Sequence, residues 1–451
     1  SLPQAVATML DPADCGPAFI GMCQDVQAEA FDYPVRFFEP KVHRIPRPRA
    51  DVEQLKQAAQ LLKTAKKPLI IAGGGVRWSD AEALLAEFAD KHNIPVGETL
   101  NGRASLLHDH PLNAGPIGIM GASSANELAA EADVVLAVGT RLQDFTTGSW
   151  TLFPPDTRFI GLNTARFDAV KHQSLAVVGD ARVSLEELGG ALGDWQAPAS
   201  WSKHSQALYA KWNAYIDQRS GPTNAELPTY AHVVGAVNRL ASDRDLALTA
   251  AGGMPGELLM NWKAKGIGTF DCEFGFSCMG YEIAGGWGAA MADPSRETFV
   301  MVGDGSYLLM NSDIYSSVLA GHKMIVVVCD NGGFLVIDRL QRAKGIPSFN
   351  NSLDTCRTAS GAFRVDFAKH AESMGAIGIT VKSIGDLEDA IRQAQKADRT
   401  TVIHIAIHPT DWSGNDNSWW ECGTPEVSER EAVKAARHDH VMGKKKQRVG
   451  V

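Results

Sequence analysis

The sequence predicts an α/β protein built from doubly wound parallel sheets. The chain has 451 residues, 45% of them hydrophobic and 21% charged, which suffices for two or three buried cores of ordinary size. Its apolar residues fall in short unbroken runs, as expected of strands covered by helices on both faces. Those runs alternate with segments of helical periodicity, and several end in glycine. A sheet wound in this way presents its ligand site beyond the carboxyl ends of its strands.

The first element is a helix, with Ser1 as its N-cap and Pro3 in its first turn. The apolar run Ala18-Phe19-Ile20-Gly21-Met22 reads as a strand, and the Pro- and Arg-rich stretch from Pro40 to Arg49 as a linker. One helix and one strand cannot bury a core alone. Residues 1–40 are therefore expected to be the last part of a domain in a longer protein, the more so because the chain starts without Met.

A second domain is expected over residues 41–195. Asp51 caps a helix carrying Val52, Leu55, Ala59 and Leu62, and Pro68–Ala72 is a buried strand ending in Gly73-Gly74-Gly75. Ser79 and Glu82 have capping-box spacing ahead of a helix with Leu84, Leu85 and Phe88. Ile94–Val96, Asp133–Gly139 and Arg158–Leu162 supply further strands. Residues 196–227, with Trp201, Leu208, Trp212 and Tyr215 at helical spacing before the breakers Gly221 and Pro222, form a linker helix. Residues 228–410 make a third domain, with strands at Leu246–Thr249, Thr298–Val302 and Met324–Val328 and two further helix and strand pairs to Ile407. Residues 411–451 are an irregular tail with a charged helix.

Composition excludes several function classes. Lys and Arg number 43 against 52 Asp and Glu, a formal charge of −9, so no global basic field attracts a nucleic-acid backbone or an anionic membrane. Any anionic ligand must be held locally. Cysteines 15, 23, 272, 278, 329, 356 and 422 are scattered without a CxxC pair, which favours a reduced, cytoplasmic protein over a disulfide or zinc scaffold. No run of about 18 apolar residues and no secretory leader is present in the sequence as given.

Three glycine-rich sites invite a ligand. Gly73-Gly74-Gly75 reads as a tight strand-to-helix turn, because Trp78 stands where a dinucleotide fingerprint needs glycine and no acidic residue follows a second strand. Gly303-Asp304-Gly305-Ser306 closes one apolar strand, and Asn331, in Asp330-Asn331-Gly332-Gly333-Phe334, closes the next. Successive parallel strands end on one edge, so the Asp304 carboxylate, the Asn331 amide oxygen and the Gly333 carbonyl can converge on one Mg²⁺ or Ca²⁺ ion that also takes phosphate oxygens. The third site, Ala250-Ala251-Gly252-Gly253-Met254, follows the first strand of that domain.

The spacing of GDG and Asn-x-Gly resembles the binding motif of the thiamin diphosphate-dependent enzymes. On that resemblance the fold is the thiamin diphosphate-binding fold with a Rossmann-like central domain, residues 228–410 being the diphosphate-binding domain and residues 1–40 the end of a pyrimidine-binding one. The resemblance assigns Gly252, Gly253, Met254, Ser277, Gly303, Gly305, Ser306 and Phe334 to cofactor contacts. Asp304, Asn331 and Gly333 would hold Mg²⁺, and Met279, in Ser277-Cys278-Met279-Gly280, would wedge the cofactor into its bent shape. Within the family, the strings Glu273–Glu282, Gln341–Asn350, Pro425–Ser428 and Gln447–Val451 resemble the trihydroxycyclohexane-1,2-dione hydrolases of inositol catabolism. Those enzymes cleave a C–C bond of a small cyclic diketone to give 5-deoxyglucuronate, and the family's active units are at least dimers, so a homodimer or homotetramer is expected here. No catalytic residue is assigned. The family's activating glutamate lies in the pyrimidine domain, so this chain is expected to be inactive alone. Other thiamin diphosphate enzymes, acetolactate synthase-like or 2-oxo acid decarboxylases, and a non-catalytic assembly or regulatory protein are the alternatives.

The remaining features favour structural roles. His404 and His408 alternate on a strand and read as strand-end histidines, and Lys444–Lys446 as a solvated tail. Trp419-Trp420 is equally a lid over the cofactor or a packing element on the diphosphate domain, and Cys278 has no His and Asp partners to make it a nucleophile.

Overall fold

The computed structural model describes residues 1–356, 364–415 and 417–450. Two six-stranded sheets, parallel throughout, organise it. The first comprises β1 (Pro68–Ala72), β2 (Val96–Glu98), β3 (Asn113–Pro116), β4 (Val134–Val138), β5 (Arg158–Asn163) and β6 (Leu175–Val178), in the order β3-β2-β1-β4-β5-β6. That order reverses between β1 and β4, as in dinucleotide-binding folds. The second comprises β7 (Leu246–Thr249), β8 (Phe270–Cys272), β9 (Thr298–Gly303), β10 (Ile325–Asp330), β11 (Ile377–Val381) and β12 (Thr401–Ala406), in the order β11-β12-β10-β9-β7-β8.

Alternation along each strand divides the core between the two faces. In β1, Ile70 and Ala72 join one apolar cluster while Leu69 and Ile71 join another. In β9, Phe299 and Met301 face one side and Val300 and Val302 the other. Both faces of both sheets are thus dry, which is why these strands read as unbroken apolar runs.

Several expectations need correction. The Ala18–Met22 run is not a strand: it pairs with no strand among the described residues, and Phe19 is 96% exposed. The helix Leu2–Met9 forms with Pro in its first turn, but the Ser1 side chain makes no cap bond. The Ser79–Glu82 capping box is absent, because the Ser79 hydroxyl donates instead to Asp180, 2.7 Å away, and Ala81 becomes the N-cap. Asp51 does cap its helix, accepting from the N–H groups of Glu53 and Gln54. The helix Ala199–Ser220 is no loose connector. It buries Trp201, Tyr209, Trp212 and Ile216, and the Trp201 indole donates to the Pro68 carbonyl at the start of β1.

The tail touches both domains: Trp412 and Ser413 lie on the diphosphate domain, and the residues that follow cross the central one. Asn415 donates to the Gly121 carbonyl at 2.6 Å, Asn417 to the Ser123 carbonyl at 3.1 Å, and Trp420 packs on Phe145 at 5.0 Å between ring centres. Phe145 in turn meets Phe274 edge-on. Arg448 donates to the Pro154 and Pro155 carbonyls and lies over the Phe159 ring. Lys444 pairs with Glu421, and Lys445 and Lys446 are exposed. No helix among the described residues is long and apolar enough to cross a membrane.

Two buried acids fix the helix Met254–Asn261, which leads away from the end of β7, against its surroundings. Glu98, the last residue of β2, pairs with Arg103 in full burial. Arg103 also donates to the carbonyls of Leu259 and Trp262, at the C-terminal end of that helix, where a cation is favoured. Glu257, within the helix, accepts from the Ser413 N–H at 2.7 Å and from Asn261. Burial pushes the Glu257 carboxyl up to about 7, against the opposing pull of Ser413, Arg219 and Arg339.

Replacing Arg103 by Met leaves Glu98 buried without its partner and is expected to cost about 3–5 kcal/mol in urea denaturation, whereas Glu98→Leu/Arg103→Met should cost less. Glu257 gives a second expectation. Its proton is bound more tightly in the folded chain than in the unfolded one, so its contribution is complete below pH 4.5 and lost as pH rises through about 7. The wild type should lose about 3 kcal/mol relative to Glu257→Gln between those values, and parallel stability curves for the two proteins would refute this.

Candidate cofactor site

The second sheet changes winding direction between β7 and β9, and a cleft opens beyond the carboxyl ends of these strands and β10. Its walls come from four separate segments. Gly252 and Gly253 follow β7, Ser277 and Met279 precede the helix Tyr281–Ala292, Gly303 to Ser306 follow β9, and Asn331, Gly333 and Phe334 follow β10. Leu335, Val336 and Ile337, at the start of the helix Leu335–Ala343, complete it. Met254 alone among the expected contact residues does not line the cleft: it is the first residue of its helix and packs in the core with Tyr230 and Leu258.

Parallel register explains why the motif residues meet. Gly303 lies opposite Cys329 on the neighbouring strand, so the residues that follow, Asp304 on one side and Asp330 and Asn331 on the other, emerge together at the edge. Asp304 is buried and accepts from the Gly333 N–H at 2.7 Å, joining the two loops. Gly333 has φ of +139°, a conformation that favours glycine, and its N–H reaches Asp304 from that turn. Asp330 accepts from the Gly332 N–H and from His404. Burial and the neighbouring Asp330 carboxylate push Asp304 well above the usual range for aspartate. For Asp330, burial acts upward too, but His404 and the Gly332 N–H outweigh it and hold that carboxyl low. His404 thus sits behind the site as a partner of Asp330.

Asn331 is 9% exposed, and its amide nitrogen donates to the Tyr230 hydroxyl at 3.0 Å. Its carbonyl oxygen is buried with no hydrogen-bond partner. A buried acceptor without a donor is costly unless a cation or other ligand completes it. Among the described residues no cluster of three His, Cys, Asp or Glu side chains could enclose a metal ion. One carboxylate and neutral oxygens instead suit Mg²⁺ that completes its shell with phosphate and water. The residues present fit a metal-bound diphosphate.

On the β7 side, Trp412 stacks on Tyr230 at 5.2 Å and covers Gly253, where an added Cβ would lie 2.2 Å from the indole. The loop therefore has no space for a side chain at 253. On the β9 side, the Phe334 ring lies over Gly305, where a Cβ would come within 2.5 Å of it. Phe334 is 44% exposed at the rim.

Sequence reading missed one central residue. Glu282 is fully buried beneath the cleft, where its two oxygens accept from Ala251 N–H, Gly280 N–H and the Ser306 hydroxyl. Burial pushes its carboxyl up, and these donors together with its own N–H oppose the rise. A lone carboxylate in the small, apolar stretch from Met279 to Ala292 was the available signal. The Gly73-Gly74-Gly75 turn of the first sheet differs from this cleft. There the N–H groups of Gly73 and Gly75 are bonded to the carbonyls of Val138 and Gly139, and the helix that follows has only five residues.

Comparison with known proteins agrees with this architecture. Residues 55–188 match the family model for the central domain of thiamine pyrophosphate enzymes, and residues 251–405 match that for the C-terminal TPP binding domain. The chain is similar to a 3D-(3,5/4)-trihydroxycyclohexane-1,2-dione hydrolase of Geobacillus thermodenitrificans, 37% identical over 96% of this chain and 72% of the relative. Those of Clostridium botulinum and Bacillus anthracis are 36% and 35% identical, over 96% and 97% of this chain and 72% and 73% of theirs. With 35–37% identity over 96–97% of its length, the chain belongs to the 3D-(3,5/4)-trihydroxycyclohexane-1,2-dione hydrolase family of thiamine pyrophosphate enzymes.

Proposed function

We propose that this chain acts in the thiamin diphosphate- and Mg²⁺-dependent hydrolytic opening of trihydroxycyclohexane-1,2-dione, with 5-deoxyglucuronate as product. The observation that carries this reading is the near-complete alignment with hydrolases of that name, over a chain whose motif residues converge on one cleft. The bound cofactor supplies the electron sink for C–C cleavage.

The residues of the chain have the following roles in this reading. Asp304, the free oxygen of Asn331 and the Gly333 carbonyl hold Mg²⁺, which offsets diphosphate charge that a chain of net charge −9 would otherwise repel. Gly252, Gly253, Ser277, Gly303, Gly305, Ser306 and Phe334 surround the diphosphate, and half-buried Met279 sets the cofactor's bend.

A homodimer or homotetramer is part of the proposal. Leu308, Leu309, Met310, Tyr315 and Leu319, on and between the helices Asp304–Leu309 and Asp313–Ala320, are each about half exposed or more. Apolar side chains concentrated in this way support burial against a second copy. All seven cysteines are free, which supports a cytoplasmic location.

Calorimetric titration of thiamin diphosphate with Mg²⁺ should give binding that is lost in Asp304→Ala and weakened in Asn331→Ala, and equal binding by all three proteins would refute the site. Product analysis of a longer protein that includes the pyrimidine-binding domain, with the cyclic dione, should yield 5-deoxyglucuronate, whereas the 451-residue chain alone should give no turnover; CO₂ release from a 2-oxo acid would point to a decarboxylase instead. In sedimentation velocity, Leu319→Glu should shift the oligomer to monomer, and an unchanged coefficient would exclude that face as the interface.

A further inference from the structure

We propose that Glu282 is a positioning residue that holds the three cofactor loops of this site in one fixed arrangement. The inference rests on the thiamin diphosphate reading of the cleft and adds a residue that touches no cofactor atom in that reading.

Three segments that are distant in sequence meet at this carboxylate. Oε1 accepts from the Ala251 N–H at 3.1 Å, in the loop after β7. Oε2 accepts from the Gly280 N–H at 2.9 Å, beside Met279. The Ser306 hydroxyl donates to the same carboxylate at 2.8 to 2.9 Å and itself accepts from Gly280 at 3.1 Å. Every neighbour is therefore a donor, and a carboxylate, which only accepts, satisfies all of them without conflict. With the side chain fully buried, water cannot replace a lost partner.

This arrangement has a consequence for Ser306. Its proton is committed to Glu282, so the hydroxyl is oriented from below and the residue serves the diphosphate through its place in the backbone. The Ala251 and Gly280 amides are likewise committed to Glu282, and each adjoins residues that line the cleft. Glu282 thereby sets the separation between the diphosphate side, at Gly303–Ser306, and the Met279 side.

Glutamine at 282 tests the idea because its size is conserved while its acceptors are halved. An amide has one acceptor oxygen, so it can keep Ala251 or Gly280 but must turn an NH₂ group toward the other N–H. In cofactor-free protein, Glu282→Gln should speed hydrogen exchange at Ala251, Gly280 or both while leaving the melting temperature of the central domain unchanged. Its Kd for thiamin diphosphate with Mg²⁺ should rise at least about tenfold, roughly the loss of one charge-assisted hydrogen bond. In the longer protein that includes the pyrimidine-binding domain, saturating cofactor should restore kcat.

Wild-type protein that fails to bind thiamin diphosphate even when it includes the pyrimidine-binding domain would overturn the functional reading itself. Wild-type protein that binds, with Glu282→Gln equal to it in Kd and in exchange at both amides, would overturn only the role of Glu282. If Glu282→Gln does not fold, Ser306→Ala decides through exchange alone, because Ser306 itself lines the cleft: faster exchange at Gly280 in cofactor-free protein supports the role, and a wild-type rate refutes it.

Discussion

The site exists because β7, β9 and β10 run in the same direction. Each strand delivers its following loop to one edge of a sheet that is buried on both faces, and the register of β9 with β10 brings Asp304 beside Asp330 and Asn331. An antiparallel partner in either position would send one of these loops to the opposite end of the domain. The bond from the Gly333 N–H to Asp304 then fixes what the sheet has brought close. Everything else at the cleft refines this alignment.

An acidic chain that binds a diphosphate faces an electrostatic conflict, and the surroundings of the cleft state it sharply. Asp304, Asp330 and Glu282 are all largely buried near the same edge, and no Lys or Arg side chain lines the cleft among the described residues. Two of the three carboxylates are largely engaged by donors: Asp330 by His404 and the Gly332 N–H, Glu282 by three loop groups. Only Asp304 and the unpartnered oxygen of Asn331 remain to attract a cation. The metal in this reading is thus the site's own source of positive charge, and the neighbouring acids serve mainly to hold the backbone.

Strand-end spacing made Asp304 and Asn331 legible in the sequence, since apolar runs fix both strands and parallel winding does the rest. Other elements left weaker traces. β3, Asn113–Pro116, and β8, Phe270–Cys272, are too short and too mixed to stand out as apolar runs, although each adds an edge to its sheet. The pair Ser79 and Glu82 has the spacing of a cap, but a tertiary partner, Asp180, captured the serine. Ala18–Met22 has the composition of a strand without a strand to pair with. Glu282 was hidden because its meaning lies in Ala251 and Ser306, which sequence alone does not place beside it. Trp420 was hidden for the same reason, since Phe145 lies far earlier in the chain, whereas Trp419 packs on His440 of the C-terminal helix.

The path of the tail also bears on how the protein is made. Asn415 reaches back 294 residues to Gly121, and Arg448 reaches back 294 residues to Pro154. A ribosome releasing about 5–20 residues per second completes the first sheet many seconds before those partners emerge. During that interval the Gly121 carbonyl is left to water, while the Pro154 carbonyl has only the Thr157 N–H of its own turn. Nascent chains stalled before residue 411 would therefore carry an assembled sheet with an open seam, which is the surface that a chaperone would meet first.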